Sequence, residues 1–173
     1  GSDNTAIGWD ALNSNIGGNY NTASGVDALY TNTEGNGNTA SGFKALYSND
    51  TGSDNTASGS RALYKNISGD NNTASGSSAL RDNETGSDNT AIGWDALKSN
   101  IGGRYNTASG INALYNNKEG NRNTASGVDA LSFTTGDYNT GSGSKALISN
   151  TTGSFNTAIG YEADVVSNNL TNA

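Results

Sequence analysis

The 173-residue chain has 16 acidic and nine basic residues, a net charge of −7, 24 Gly, and no Cys, His, Met or Pro. Ser-His and Cys-His nucleophiles and zinc-thiolate sites are therefore excluded. With no basic patch or Lys/Arg run in the sequence, nucleic acid and anionic membranes are not expected partners, and no apolar stretch could insert in a bilayer.

From Asn4 onward the chain repeats itself. Asn-Thr begins a unit at Asn4, Asn21, Asn38, Asn55, Asn72, Asn89, Asn106 and Asn123, each 17 residues apart, then at Asn139 after 16 residues and at Asn156. Counting Asn as position 1, the unit reads N-T-A-[S/I]-G-x-x-A-L-x-x-N-x-x-G-x-x, with Gly at position 5 in all ten units and Leu at position 9 in nine. A short fixed period over a whole chain means one small unit stacked on itself. The expected fold is an all-β solenoid, a parallel β-roll of about ten coils, with residues 1–173 forming one repeat domain. Low hydrophobicity with much Asn, Ser and Gly also marks disordered tracts, but those do not place Leu and Ala in register. Residues 1–42 and 86–127 differ at seven positions, consistent with growth by duplication of a five-unit block. The pattern starts and stops mid-unit, as in a segment of a longer fibre.

Within a unit, Gly and the lack of three- and four-residue apolar spacing argue against helix and for short strands between turns. Position 5 Gly supplies one corner, and Asn at position 12 with Gly at position 15 marks a second turn region. Alternation along Asn-Thr-Ala-Ser-Gly puts positions 1, 3 and 5 on the inner face and positions 2 and 4 outside. A narrow two-layered coil then encloses Ala at position 3 and Leu at position 9. Stacked Asn side chains at position 1 are expected to form an amide ladder. At a rise of about 4.8 Å, ten coils give a rod of roughly 48 Å. The residue missing before Asn139 falls in the variable arc, at Ser132, Phe133, Thr134 and Thr135, where its loss leaves the ladder intact.

Charge is confined to part of the coil. Apart from Asp164 in the last unit, positions 1 to 5, 8 and 9 are uncharged throughout. The outward columns are Thr5, Thr22, Thr39, Thr56, Thr73, Thr90, Thr107, Thr124, Thr140 and Thr157 at position 2, and Ser24, Ser41, Ser58, Ser75, Ser109, Ser126 and Ser142 at position 4. Ile7, Ile92 and Ile159 replace Ser. A face kept free of charge over the whole length is reserved for a contact, and packing it against copies of the same chain would cover it and add burial.

The strings Asn89-Thr90-Ala91-Ile92-Gly93 and Asn156-Thr157-Ala158-Ile159-Gly160 resemble the head repeat of trimeric autotransporter adhesins. The longer unit, with the closing Gly160-Tyr161-Glu162-Ala163-Asp164, is similar to repeats of phage and bacterial tail-fibre-like proteins that carry a self-cleaving chaperone domain. The resemblance implies a left-handed parallel β-roll, a homotrimer, an extracellular place on a bacterial surface or virion fibre, and a spacer or receptor-binding role. The period exceeds that of the adhesin heads, and Thr and Ser stand where they have an apolar pair.

Candidate ligand residues are the aromatics of the variable flank: Trp9, Phe43 and Trp94 at position 6, and Tyr30, Tyr47, Tyr64 and Tyr115 at position 10. Rigid rings there suit a cell-surface glycan or protein, or packing between coils. No catalytic residue, metal ligand or cofactor is expected. Asp10 and Asp27 share a column, but that column continues into Lys44 and Arg61 as a mixed-charge flank does, and Asp3, Asp54 and Asp88 bring too few oxygens for calcium. A regular uncharged Thr row is also what an ice-binding face requires, which makes the same Thr and Ser columns an alternative ice-binding site.

Overall fold

The computed structural model describes residues 1–165 and 171–172. Ten three-residue strands carry the fold: Thr5–Ile7 (β1), Thr22–Ser24 (β2), Thr39–Ser41 (β3), Thr56–Ser58 (β4), Thr73–Ser75 (β5), Thr90–Ile92 (β6), Thr107–Ser109 (β7), Thr124–Ser126 (β8), Thr140–Ser142 (β9) and Thr157–Ile159 (β10). They form one parallel sheet in chain order, like residue over like: Thr22 pairs Thr39, Ala23 pairs Ala40 and Ser24 pairs Ser41. The chain is a parallel β-solenoid. Position 3 Ala is buried and its Thr and Ser neighbours are exposed in most coils, so the alternation has the predicted phase. Ala at positions 3 and 8 and Leu at position 9, such as Ala57, Ala62 and Leu63, are fully buried in one continuous column.

The expected second layer is not a sheet. Opposite the strands the coil is built of turns, with a single isolated bridge between Thr31 and Ser48 among the described residues. The reason lies in the backbone. Positions 7, 9 and 17 sit in the left-handed region almost without exception, as at Arg61 (φ 58°), Leu63 (φ 50°) and Asn71 (φ 57°). Each such residue costs about 1 kcal/mol or more, and bulky Leu would not choose this conformation alone. It is held there by hydrogen bonds between coils. Leu63 N–H donates to Ala79 O (3.0 Å), Arg61 N–H to Phe43 O (2.8 Å) and Asn71 N–H to Ser53 O (3.0 Å), so each corner is fixed from the coil above or below.

Position 1 forms the expected ladder, but mainly through the backbone. Asn55 Oδ1 accepts the Asn72 backbone N–H (2.9 Å), while Asn55 Nδ2 donates to Gly69 O (2.8 Å). A second ladder runs through position 12, which the sequence marks only as a turn. Asn66 Nδ2 donates to Asn49 Oδ1 (2.7 Å) and to Gly69 O (2.8 Å), and Asn83 Nδ2 donates in turn to Asn66 Oδ1 (2.7 Å). Both Asn columns are fully buried along most of the rod, and both converge on the carbonyl of position 15 Gly. That Gly is required by space: a Cβ on Gly69 would lie 2.1 Å from Gly86 O and 2.6 Å from Asn66 Oδ1. Position 5 Gly is required by conformation as well, since Gly59 has φ +134° and a Cβ there would meet Gly76 O at 2.6 Å.

The 16-residue unit keeps this scheme with one repair. Thr134 replaces the position 12 Asn, and Asn150 Nδ2 donates to its Oγ1 (3.3 Å). The position 1 ladder passes through unbroken, Asn139 N–H donating to Asn123 Oδ1 (2.9 Å).

Two substitutions separate the constraints. Asn66→Ala leaves buried amide groups of Asn49 and Asn83 short of a partner and is expected to cost about 2 to 4 kcal/mol, whereas exposed Ser60→Ala should stay within about 0.5 kcal/mol. Thermal and denaturant melts of the two variants against the parent measure this, and equal midpoints would remove the ladder from its structural role.

Candidate functional site

Three surfaces emerge from this coil. The first is the strand face. Its ten Thr and seven Ser side chains are exposed in nearly every coil, Thr90, Thr140 and Ser142 being half-buried. Among the described residues, no intrachain hydrogen bond reaches any of their hydroxyls. Ile7, Ile92 and Ile159 lie in the same plane at 65%, 50% and 75% exposure. Position 6 rims this face with a column that is mostly apolar and exposed, from Trp9 through Val26, Phe43, Trp94, Ile111 and Val128 to Tyr161.

The second surface is the flank, where position 10 faces position 7. Tyr30, Tyr47 and Tyr64 stand one above another as a stack, with ring centroids 5.1 Å apart at both steps and interplanar angles of 7° and 14°. All three are half-buried, so of the candidate ligand residues these cover one another. Phe43 and Tyr47 also lie beneath the Lys44 ammonium, at 5.3 and 5.2 Å. On the opposite border, Arg122 is held between Tyr105 and Tyr138, and Tyr138 stacks on Phe155 at 4.8 Å.

The flank corrects one expectation from the sequence. Basic residues that are scattered along the chain do meet: Lys44, Arg61, Lys65 and Arg81 line one cleft of about 300 Å³ with Tyr64 and Asp82. Coil stacking puts residues about 17 apart side by side, so a patch forms without a run. It is partly neutralised. Lys44 lies 3.7 Å from Asp27 and Lys65 lies 3.7 Å from Asp82, while Arg81 binds Asp82 through both Nε and Nη2. The bond to Asp82 raises the Arg81 pKa above its usual value.

The third surface is a second flank cleft, of about 340 Å³, which gathers two of the predicted ligand residues, Trp94 and Tyr115. Asp95, Asn112, Asn116, Asp129, Ser132 and Phe133 complete it. Asn112 Nδ2 donates to Asp129 Oδ1 (2.9 Å). Asp95, 5% exposed, accepts from Lys98 Nζ (2.9 Å), which also reaches the Tyr115 hydroxyl (3.3 Å) and sits 5.0 Å from its ring. Burial opposes the Lys98 charge, but the bonds to Asp95 and Tyr115 outweigh it and hold its pKa above the usual lysine value. The sequence reading missed Asp129, Asn112 and Phe133. In rows of 17 residues they fall in the columns next to Trp94 and Tyr115, at positions 7 and 11 beside positions 6 and 10. Trp9 and Phe43, the other position 6 candidates, lie five and three coils before Trp94 and outside this cleft.

A third ladder, on the surface, also escaped the sequence. Position 16 carries Ser, Asn or Asp whose side chain accepts the backbone N–H of the preceding coil: Asn36 N–H donates to Ser53 Oγ (3.1 Å), Ser53 N–H to Asp70 Oδ1 (2.8 Å) and Asp70 N–H to Ser87 Oγ (3.1 Å). Arg104 occupies the same column without a short acceptor. Among the described residues no group of three or more Asp and Glu is placed to hold a metal ion.

Tyr47 has a ring on either side, so Tyr47→Ala removes two stacked pairs, each worth about 0.5 to 1.5 kcal/mol beyond burial. It is expected to destabilise the rod by about 2 kcal/mol or more, read from a denaturant melt. Trp9→Ala, at an exposed ring in the first coil, should leave the midpoint nearly unmoved.

No protein-family model, curated protein or solved structure matches the chain, so its function is argued from these faces and clefts.

Proposed function

We propose that the chain is a structural and adhesive segment of an extracellular fibre, a left-handed β-roll that assembles as a homotrimer through its Thr/Ser face on a bacterial surface or virion. One observation carries the reading. An uncharged face runs the full length of the rod with ten Thr and seven Ser hydroxyls free of intrachain partners, and with three exposed Ile in the same plane. In a contact between identical chains, the hydroxyls of facing coils supply partners for one another, and the Ile layers bury apolar area. The rims of such an assembly are the exposed rings of position 6. The rod's work is to set a distance and present its flanks.

Light scattering at tens of micromolar tests assembly: the expected mass is three times the 17.6 kDa chain. Ser58→Glu with Ser75→Glu, in two adjacent coils, places carboxylates against their symmetry copies and is expected to return the monomer with the coil intact by circular dichroism. A monomeric parent overturns the trimer.

A second reading has its own observation. The Thr column is in strict register, Thr over Thr at every step, at the parallel-sheet spacing of about 4.8 Å, and its hydroxyls are free to order water. Ice binding by this face requires a monomer. Thermal hysteresis in the monomeric parent, lost in the Ser58→Glu, Ser75→Glu variant, would establish it in place of the fibre contact.

A further inference from the structure

We infer that the cleft over coils six to eight is a binding site for a neutral saccharide, with Trp94, Tyr115 and Phe133 as ring platforms and Asp129, Asn112 and Asn116 as the hydroxyl-recognising groups. The inference does not depend on self-association through the strand face.

Elsewhere on this flank, stacking covers the rings. At position 10, Tyr47 covers Tyr30 and Tyr64 covers Tyr47, so each ring is consumed by the next. Above Tyr115 the same column holds Ser132, which is buried and too short to cover a phenol ring. Tyr115 takes the Lys98 ammonium over its ring and also lines the cleft. Phe133 stands at position 11, where most other units have small or polar residues, and is 51% exposed. Trp94 is 55% exposed on the side of position 6. Three rings on three successive coils thus border one hollow, over about 10 Å of rise. Exposed rings around a concave polar floor suit a ligand with an apolar ring face and a hydroxyl edge.

The polar groups fix the class. The Asp95 charge is neutralised by Lys98 at 2.9 Å, and no basic residue borders the cleft opposite Asp129. Asp129 accepts from the Asn112 amide at 2.9 Å, and Lys145, the cation that acts on it from the next coil, is itself paired with Glu162 at 3.1 Å. One carboxylate and two amides offer acceptors and donors to hydroxyls, and a wall that carries the Asp129 carboxylate and no cation disfavours sulfated, sialylated or uronic sugars. The basic cleft on coils three to five has the reverse character.

The five-unit duplication supplies an internal comparison. Its earlier copy keeps Trp9, Asp10 and Tyr30 but has Asp27, Thr31, Lys44, Tyr47 and Ser48 where this cleft has Asn112, Asn116, Asp129, Ser132 and Phe133. There Lys44 lies over Tyr47 and pairs with Asp27, so the site is filled and its charge inverted. Trp9 and Trp94 therefore do not head two equivalent sites.

The test is retention of the intact chain on an array of neutral gluco-, manno- and galacto-oligosaccharides, with sulfated and sialylated counterparts and single-stranded DNA as further probes. Fluorescence titration then follows with the best-retained sugar, in a Trp9→Phe background where Trp94 is the sole reporter. At least one neutral oligosaccharide is expected to be retained and to perturb Trp94 emission. Trp94→Ala and Phe133→Ala should weaken binding about tenfold or more, as loss of a central aromatic anchor does. Ser132→Tyr extends the ring column as in coils two to four, so it should fold and melt like the parent while abolishing binding. Trp9→Ala should bind as the parent does. Retention of no neutral sugar, preference for sulfated sugars or DNA, or unchanged binding by Ser132→Tyr would each overturn the assignment.

Discussion

Everything in this rod depends on the carbonyl groups of Gly at position 15, which in every unit but the 16-residue one take two side-chain amide donors. The position 1 Asn of the unit and its position 12 Asn both donate to the same oxygen, as Asn55 and Asn66 do to Gly69. The remaining capacity of each amide then reaches the adjacent coil, so one cluster closes the coil and joins it to its neighbour. A buried amide without partners would cost more than the small apolar core of one Leu and two Ala returns. The interior is thus a polar framework with an apolar strip beside it, and specificity of register follows. A slip of one residue would put Thr or Gly against amides that have no other partner.

The same stacking explains the surface. Because each residue lies over its counterpart one coil away, a local change is felt by two neighbours at once. Tyr columns stack, Arg122 slots between two rings, and short polar residues at position 16 thread a hydrogen-bonded seam. Variation is admitted where no ladder passes. The two flank clefts arise where a column changes character, from Tyr64 to Arg81 in one and from Tyr115 to Ser132 in the other.

Much of this was legible in the sequence, and the exceptions share causes. The period, the presence of short strands over Asn-Thr-Ala-Ser-Gly, inward Ala57 and Leu63 and the Asn55 column follow from alternation and repetition alone. Asn66 was read as turn chemistry because Asn is a common turn residue, and its second role appears only when its amide is seen buried against Gly69. Leu63 at φ 50° has no sequence signal, since nothing about Leu favours that conformation and only contacts from adjacent coils impose it. The clefts were missed because their residues, such as Trp94, Asn112 and Asp129, are neighbours in the wrapped chain and strangers in the linear one. Only the wrapped order carries their chemistry.

The unbroken chain of coil-to-coil bonds gives the rod a mechanical character. Force applied along the axis loads the parallel ladders of every coil in series, and each coil is held only by the one before and the one after. The end coil yields first, and its 17 residues then release about 58 Å of extended chain in place of a rise of about 4.8 Å. Extension therefore proceeds as a train of similar yielding events, each relaxing the tension before the next coil opens. A solenoid of this kind dissipates a sudden pull in instalments.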